Sequence, residues 1–404
     1  MNMTKGIKAV LSVPMLFLGF GLIWAGCGDD SGSSSPPLTA ITSVTQSENA
    51  ASLSSQSASF AAGTGTTFLN MGTVGLAMLP FAPQFKAPSS MALTGGTAIT
   101  ARLSEKFAKS PAVASAIGSI KKAAGSRTSY TITDGGACQD FGSWSVSGSA
   151  DDVAGTFNIT LAYADCREYD TRIHGTYSLN GAASVNSMSM NMSLSNFSIA
   201  EYVPGSGYGT VVSSMTADIA FTGSMGVNAS GTSLTMSMTG NGTMEATQGA
   251  VTYNMAFVNY GISDIYTPGA SFDTDTITTN GRVSESWTLG PDTFGASIAY
   301  ENFVVGIKTY LNWDEEITIN GVYTIDFTPN ACFEGRFSIQ TTTPVYWNAV
   351  DSITTAGRLV VNSNTTIIFN ADGTVTVQYN GTNIPGLINV PEVDLNGVCL
   401  IAAL

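Results

Sequence analysis

Charged side chains are scarce in this chain: they make up 11% of its 404 residues, against about a quarter in an ordinary globular domain. There is one histidine, His174, and no Cys-x-x-Cys pair, so a zinc site is not expected. A Ser–His–acid triad would have to use that histidine, and no Gly-x-Ser-x-Gly elbow accompanies it. The net charge of −14 argues against nucleic acid as a partner. We therefore expect neither catalysis nor a cofactor.

The apolar segment near the start of the chain is too short for a membrane-spanning helix, which needs about 20 residues. It covers sixteen residues, Ala9–Trp24, and follows Lys5 and Lys8, a pattern typical of a secretory signal peptide. The sequence Trp24-Ala25-Gly26-Cys27 resembles the lipobox of bacterial lipoproteins, although Trp24 stands where that family usually has leucine. The alternative is an ordinary signal peptide with an incidental cysteine.

The lipobox resemblance implies a covalent lipid anchor at Cys27. In that family the cysteine receives acyl chains such as palmitate and becomes the new N-terminus, so residues 1–26 would be removed. Several acyl chains together give stable anchoring where one would not. Gly28 stands where an aspartate would signal retention in the inner membrane. The resemblance therefore predicts attachment to the outer membrane, on a face that the sequence leaves open.

Four cysteines remain after Cys27, and an even number in an exported protein predicts two disulfides. They are Cys138, Cys166, Cys332 and Cys399. Four cysteines allow three pairings. Nearness in sequence favours Cys138–Cys166 and Cys332–Cys399.

Composition divides the mature chain into a Gly/Ser/Pro-rich tether (27–40), an Ala/Ser-rich and partly helical segment (41–126), and a β domain (127–404). One helix is predicted within Val44–Phe60. The clearest helix begins with Ser110 as N-cap and Pro111 in the first helical position, and Gly125 ends it.

In the β domain the apolar residues recur with a period of two, which indicates strands with one buried and one wet face. Four strands lose this phase in the same way, with an apolar residue three positions on. An Asp or Asn precedes the new apolar residue each time, and both tolerate the left-handed backbone of bulges. We expect a bulge or strand end at Asp165, Asn196, Asn259 and Asn302.

The returning strands begin with glycine and then alternate, at Gly142, Gly175, Gly242, Gly281 and Gly321. The last three recur at a period of about 40 residues, which is typical of repeated hairpins. The predicted fold is mainly β: an antiparallel meander of repeated hairpins, with roughly 14 to 17 strands, that closes as a barrel or folds over as a sandwich.

Three segments resemble a group of uncharacterised β-rich lipoproteins of Gram-negative bacteria: Asp134-Gly-Gly-Ala-Cys138, Tyr163-Ala-Asp-Cys166 and His174-Gly-Thr-Tyr-Ser-Leu-Asn-Gly181. The pair Asn49-Ala50 after the tether also recurs in that group. The resemblance implies location and fold, and no activity. In this chain Cys166 stands where the other bulged strands have Phe197, Tyr260 and Phe303, which is consistent with a disulfide in place of an aromatic core contact.

Two sets of side chains are candidate metal ligands. Met188, Met190 and Met192, with Met236 and Met238, have the thioether ligands that suit Cu(I), but core packing is the favoured interpretation. Two acidic groups, Asp273 with Asp275 and Asp314-Glu315-Glu316, offer oxygen ligands for Ca²⁺ without the full spacing of a calcium loop. A solvated acidic edge is the favoured interpretation of both.

The sequence supports two main hypotheses for the function of this protein. The favoured one is a non-catalytic envelope lipoprotein that serves as a surface, scaffold or adhesion module and contacts another envelope protein. The other is a carrier that holds a lipid or other hydrophobic ligand inside the β domain. An integral outer-membrane barrel is a weaker alternative, because no regular aromatic girdle is visible.

Overall fold

The computed structural model describes residues 36–54, positions 103, 106, 107 and 109–124, and 129–397 apart from 152, 185–186, 206, 229–231 and 329–333. Its helices are α1 (44–54), α2 (Pro111–Ala124) and α3 (Glu392–Gly397). Its strands are β1 (Ser129–Ala137), β2 (Phe141–Asp151), β3 (Thr156–Glu168), β4 (Thr171–Ala183), β5 (Ser187–Tyr202), β6 (Val211–Val227), β7 (Leu234–Gln248), β8 (Val251–Thr267), β9 (Phe272–Leu289), β10 (Asp292–Tyr310), β11 (Glu315–Thr328), β12 (Gly335–Asn348), β13 (Ile353–Val361), β14 (Thr365–Phe369), β15 (Thr374–Tyr379), β16 (Thr382–Asn383) and β17 (Val390–Pro391).

The strands form one antiparallel meander, which confirms the predicted fold class. Each strand from β1 to β15 pairs with the next, and β16 and β17 both pair with β15. Within the described residues no ladder joins β1 to the last strands, so the sheet is not closed. Below, the upper end is the one with the β3–β4 and β7–β8 turns, and the lower end is the one with the β10–β11 and β12–β13 turns.

The four predicted bulges are present and form a line across the sheet, which we call the bulge seam. Asp165, Asn196, Asn259 and Asn302 have φ values of 55°, 47°, 47° and 46°, and the ladder register shifts at each of them. The shift lets the next residue turn inward again. The side chains that do so are all buried, namely Cys166, Phe197, Tyr260 and Phe303.

Side chains of neighbouring strands satisfy the backbone at the seam. The N–H of Asn259 donates to Asn241 Oδ1 at 2.6 Å, and the N–H of Asn302 donates to Asn280 Oδ1 at 2.7 Å. His174 Nδ1 has the same role for Asp165, accepting its N–H at 3.3 Å. The single histidine is thus an acceptor in the seam that stands where other strands use asparagine.

The glycines that begin the returning strands make this close approach possible. At Gly281, φ is +85° and an added Cβ would lie 2.0 Å from the carbonyl oxygen of Asn259. Gly175 has the same relation to Asn196, at 2.2 Å. The predicted glycines therefore belong to the bulge seam, because they lie opposite its bulges and leave room for the backbone there.

Helix α2 begins where the sequence predicts, and a side chain of the sheet caps it. Ser110 and Glu168 are both buried, and Ser110 Oγ donates to Glu168 Oε2 at 2.5 Å. The N–H of Ala112 donates to Glu168 Oε1 at 3.0 Å. A carboxylate at this position suits the positive end of the helix dipole, so Glu168 fixes the helix against β3.

The disulfide Cys138–Cys166 joins the residue after β1 to β3, across a third strand, and closes a loop of 28 residues in sequence. This is the nearer of the predicted pairings. Cys332 and Cys399 lie outside the described residues.

Candidate functional site

The interior face of the sheet carries the buried apolar side chains, which form one core cluster, and it is a candidate binding surface. Its centre is a row of rings in contact, with centroid separations of 5.2–6.5 Å. The row crosses β8, β10, β11 and β12 and consists of Phe257, Tyr260, Tyr300, Phe303, Tyr323 and Phe337. The bulge seam places two of these rings, Tyr260 and Phe303, so the repeat contributes directly to the core.

Helix α1 occupies the upper part of this face, above β11 to β14. Ser54 Oγ lies 2.8 Å from the hydroxyl of Tyr323, and Ser47 Oγ lies 2.7 Å from Thr365 Oγ1. Ala50 and Leu53 are fully buried between them. Small residues on α1 allow its backbone to approach the sheet closely. The chain therefore fills this part of the interior with its own N-terminal segment.

The helical stretch before α2 covers the face on the other half of the sheet. Leu103 is fully buried, and Phe107 stacks edge-on against Tyr163 and Phe197 with centroids 5.8 and 5.2 Å apart. Lys106 lies beside it and pairs with Asp170 and Glu201 at the upper end.

The residues before α1 leave the sheet at its upper end. The N–H of Thr39 donates to the carbonyl of Arg336 at 2.7 Å, close to the start of β12. Asn362 and Asn364 donate to the carbonyls of Thr39 and Ile41 at 2.7 and 2.8 Å. Residues 36–41 therefore lie at the upper end of the β domain.

The lower part of the interior face holds three buried carboxyl groups. Asp264 on β8, Asp275 on β9 and Glu315 at the start of β11 are 4%, 5% and 1% exposed. Both oxygens of Asp264, one of Asp275 and one of Glu315 have no hydrogen-bond partner. Within the described part of the chain no ion pair reaches any of the three. We call them the carboxyl cluster.

Burial is the main reason why the pKa values of the three groups in the carboxyl cluster are raised. It raises the pKa of Asp264 to about 6. Burial and the nearby charges of Asp264 and Asp273 raise the pKa of Asp275 to about 7. Burial and the charge of Asp275 raise the pKa of Glu315 to about 8, against a hydrogen bond from Thr309. The groups are therefore coupled across β8, β9 and β11.

The expected solvated acidic edge is wrong for Asp275, Asp314 and Glu315, because all three are buried. Asp314 accepts hydrogen bonds from Tyr346 and from the N–H of Ala349, and these lower its pKa. Asp264 is a further buried acid, which was not among the acidic residues predicted to bind a metal. The alternation Tyr260, Ile262, Asp264, Tyr266 could have revealed it, because it places this acid on the buried face.

The candidate metal ligands are placed as follows. Among the described residues, the group of three Cys, His or acidic ligand atoms within 4.8 Å of one another is Cys138, Cys166 and Glu168, whose sulfurs are joined in the disulfide. Met192 is buried and accepts a hydrogen bond from the Tyr177 hydroxyl at 3.1 Å. Met238 is also buried, as core packing requires, while Met188 and Met190 pack against the core from partly buried positions.

The outer face of the sheet carries exposed hydroxyl and amide side chains that bond across strands. Thr222 donates to Asn191, and Asn191 donates to Asn180, at 2.9 and 3.1 Å. A shallow depression of about 320 Å³ opens on this face over β6 to β9, where Thr216 and Thr243 contribute to its lining. It is half open and mixed in polarity, unlike an enclosed apolar ligand chamber.

Cys27 and the segment around it lie outside the described residues. None of the described helices is long and apolar enough to cross a membrane. No family model, curated protein or solved structure matches this chain.

Proposed function

We propose that this chain is a non-catalytic, lipid-anchored module of the bacterial outer membrane, which presents its β domain as a scaffold or adhesion surface. The observation that carries the proposal is the occupation of the interior face by the chain's own helix α1. An interior filled in this way leaves the outer face and the sheet ends to meet a partner. The entry of residues 36–41 at the upper end also fits a tether that begins at Cys27.

Metabolic labelling tests the anchor. Cells that express the full chain are given radiolabelled palmitate, and the native protein is compared with Cys27→Ala. We expect label in the native protein and none in the variant, and the variant should lose its membrane association. Equal labelling of both proteins, or no labelling of either, would contradict the anchor.

The carboxyl cluster favours a second candidate, a carrier of an amphiphile with a cationic head group. Carboxyl groups buried without partners are costly, and a bound cation would offset that cost. Native mass spectrometry of gently extracted protein tests this. An adduct in the native protein that disappears in Asp264→Asn with Asp275→Asn supports the carrier. An adduct-free spectrum, or the same adduct in both proteins, counts against it.

A further inference from the structure

Two hairpin turns at the lower end, which hydrogen bonds join, expose large apolar side chains. Leu311 and Trp313, in the β10–β11 turn, are 79% and 55% exposed, and Val350, in the β12–β13 turn, is 86% exposed. We call these three residues the apolar tips. Single exposed apolar residues are ordinary on a protein surface, whereas a group of them marks an interaction site.

The apolar tips are held together by a buried acid. Asp314 accepts from the N–H of Ala349 at 3.0 Å, from the Tyr346 hydroxyl at 2.5 Å and from Asn312 Nδ2 at 2.7 Å. These bonds tie the first turn to the second. The two turns therefore present their apolar side chains as one rigid unit.

The backbone of Trp313 supports this interpretation. Its φ is +70°, a conformation that is rare and strained for a bulky residue. Such strain persists where the surrounding contacts hold it, and it is frequent at functional positions. Trp313 combines this backbone with a side chain that is 55% exposed.

The residues just above the tips grade from apolar to polar. Phe272 and Tyr310 lie in ring contact, with centroids 5.7 Å apart. The hydroxyl of Tyr310 donates to Glu316, and Lys308 neutralises that carboxylate at 2.7 Å. The apolar tips, then the Phe272–Tyr310 ring pair with its one hydroxyl, then a neutralised ion pair form the sequence of polarities met on leaving a bilayer core for water.

We infer that the apolar tips insert into the interfacial region of a zwitterionic lipid surface, which has no net charge. Side chains that protrude from two turns can enter a fluid lipid layer, because lipid packs around them and no complementary pocket is needed. The exposed acid Asp351 beside Val350 disfavours an anionic surface. The inference does not rest on the lipid anchor, because the tips lie at the end of the sheet opposite residue 36.

Quenching of Trp313 by brominated lipid tests the insertion. The full-length protein is titrated with brominated phosphatidylcholine vesicles, and the Trp313 signal is taken as the difference between native protein and Trp313→Phe. We expect this signal to be quenched. The double variant Leu311→Ser with Val350→Ser should need about tenfold or more lipid for the same quenching, because it loses two apolar side chains that insertion would bury in the lipid.

Val153→Ser is the matched control, since Val153 is 80% exposed in the β2–β3 turn at the same end and is the one large exposed apolar residue among those described in that turn. It should be quenched like the native protein. Three results would overturn the inference: a Trp313 signal that lipid does not quench, the same lipid requirement in the double variant and the control, or quenching only by anionic vesicles. Far-UV circular dichroism establishes that each variant is folded.

Discussion

Replacement of Gly281 by alanine should destabilise the protein strongly, because it adds a methyl group inside the bulge seam. The backbone at this position has φ +85°, and the new Cβ would lie 2.0 Å from the carbonyl oxygen of Asn259 and 2.8 Å from the Cα of Tyr260. The left-handed backbone costs about 1–2 kcal/mol for a residue with a Cβ. Overpacking against atoms that cannot move adds about 1–3 kcal/mol.

The free energy of unfolding should therefore fall by about 2–5 kcal/mol, a large part of the usual 5–15 kcal/mol. Gly290→Ala is the matched control. Gly290 lies in the β9–β10 turn with φ +62° and has no atom within 4 Å of the added Cβ. The free energy of unfolding of Gly290→Ala should fall only by the cost of the left-handed backbone, about 1–2 kcal/mol.

Urea unfolding followed by circular dichroism measures both variants, with the midpoint and the slope fitted separately. A lower midpoint for Gly281→Ala than for Gly290→Ala, at unchanged slope, is the expected result. Equal midpoints for the two variants would refute the idea that close contact across the seam requires glycine at 281.

Three further predictions follow from the sheet and its interior. Because burial raises the pKa values of Asp264, Asp275 and Glu315 to about 6, 7 and 8, the folded chain holds protons there that the unfolded chain loses near pH 4. Stability should therefore be greatest near pH 4, fall as the pH rises from there, and level off above about pH 8. Asp275→Asn should flatten that fall in urea titrations at each pH, and a fall of unchanged size would contradict the assignment. Cys138→Ala with Cys166→Ala should lower stability by about 3–4 kcal/mol, as chain entropy gives for a loop of 28 residues; a melting temperature unaffected by reductant would count against it. His174→Asn should keep the melting temperature, because asparagine fills this role in other strands. His174→Leu should lower it modestly, because only water is then left to accept from the exposed N–H of Asp165. Equal melting temperatures for the two His174 variants would show that the acceptor is not needed.

The bulge seam could be predicted from sequence because its determinants are local. Asn259 and Asn302 each stand at the break in an alternating pattern, and the left-handed backbone they tolerate is a property of the residue itself. The start of α2 was visible for the same reason, in Ser110 and Pro111. In each case a few adjacent residues carry the whole signal.

The docking of α1 and the burial of the carboxyl cluster could not be predicted in this way. Ser47 meets Thr365 across 318 positions of sequence, and no local pattern encodes that contact. Asp275 and Glu315 belong to short acidic runs that are typical of a wet edge. Their burial depends on how the strands that carry them pack in the folded chain, and this is a tertiary property that a local pattern does not show.

The bulge seam also has a consequence for how such a chain can change in length. Gly175, Gly281 and Gly321 each contact the bulge of an adjacent strand, so the alignment of these strands does not depend on a distant one. Insertion or loss of a complete hairpin would leave the remaining contacts in register, whereas a single inserted residue would turn a buried face outward. The hairpin is therefore the unit in which this sheet can be widened or narrowed. Variants of the chain that differ by about 40 residues should keep the same core.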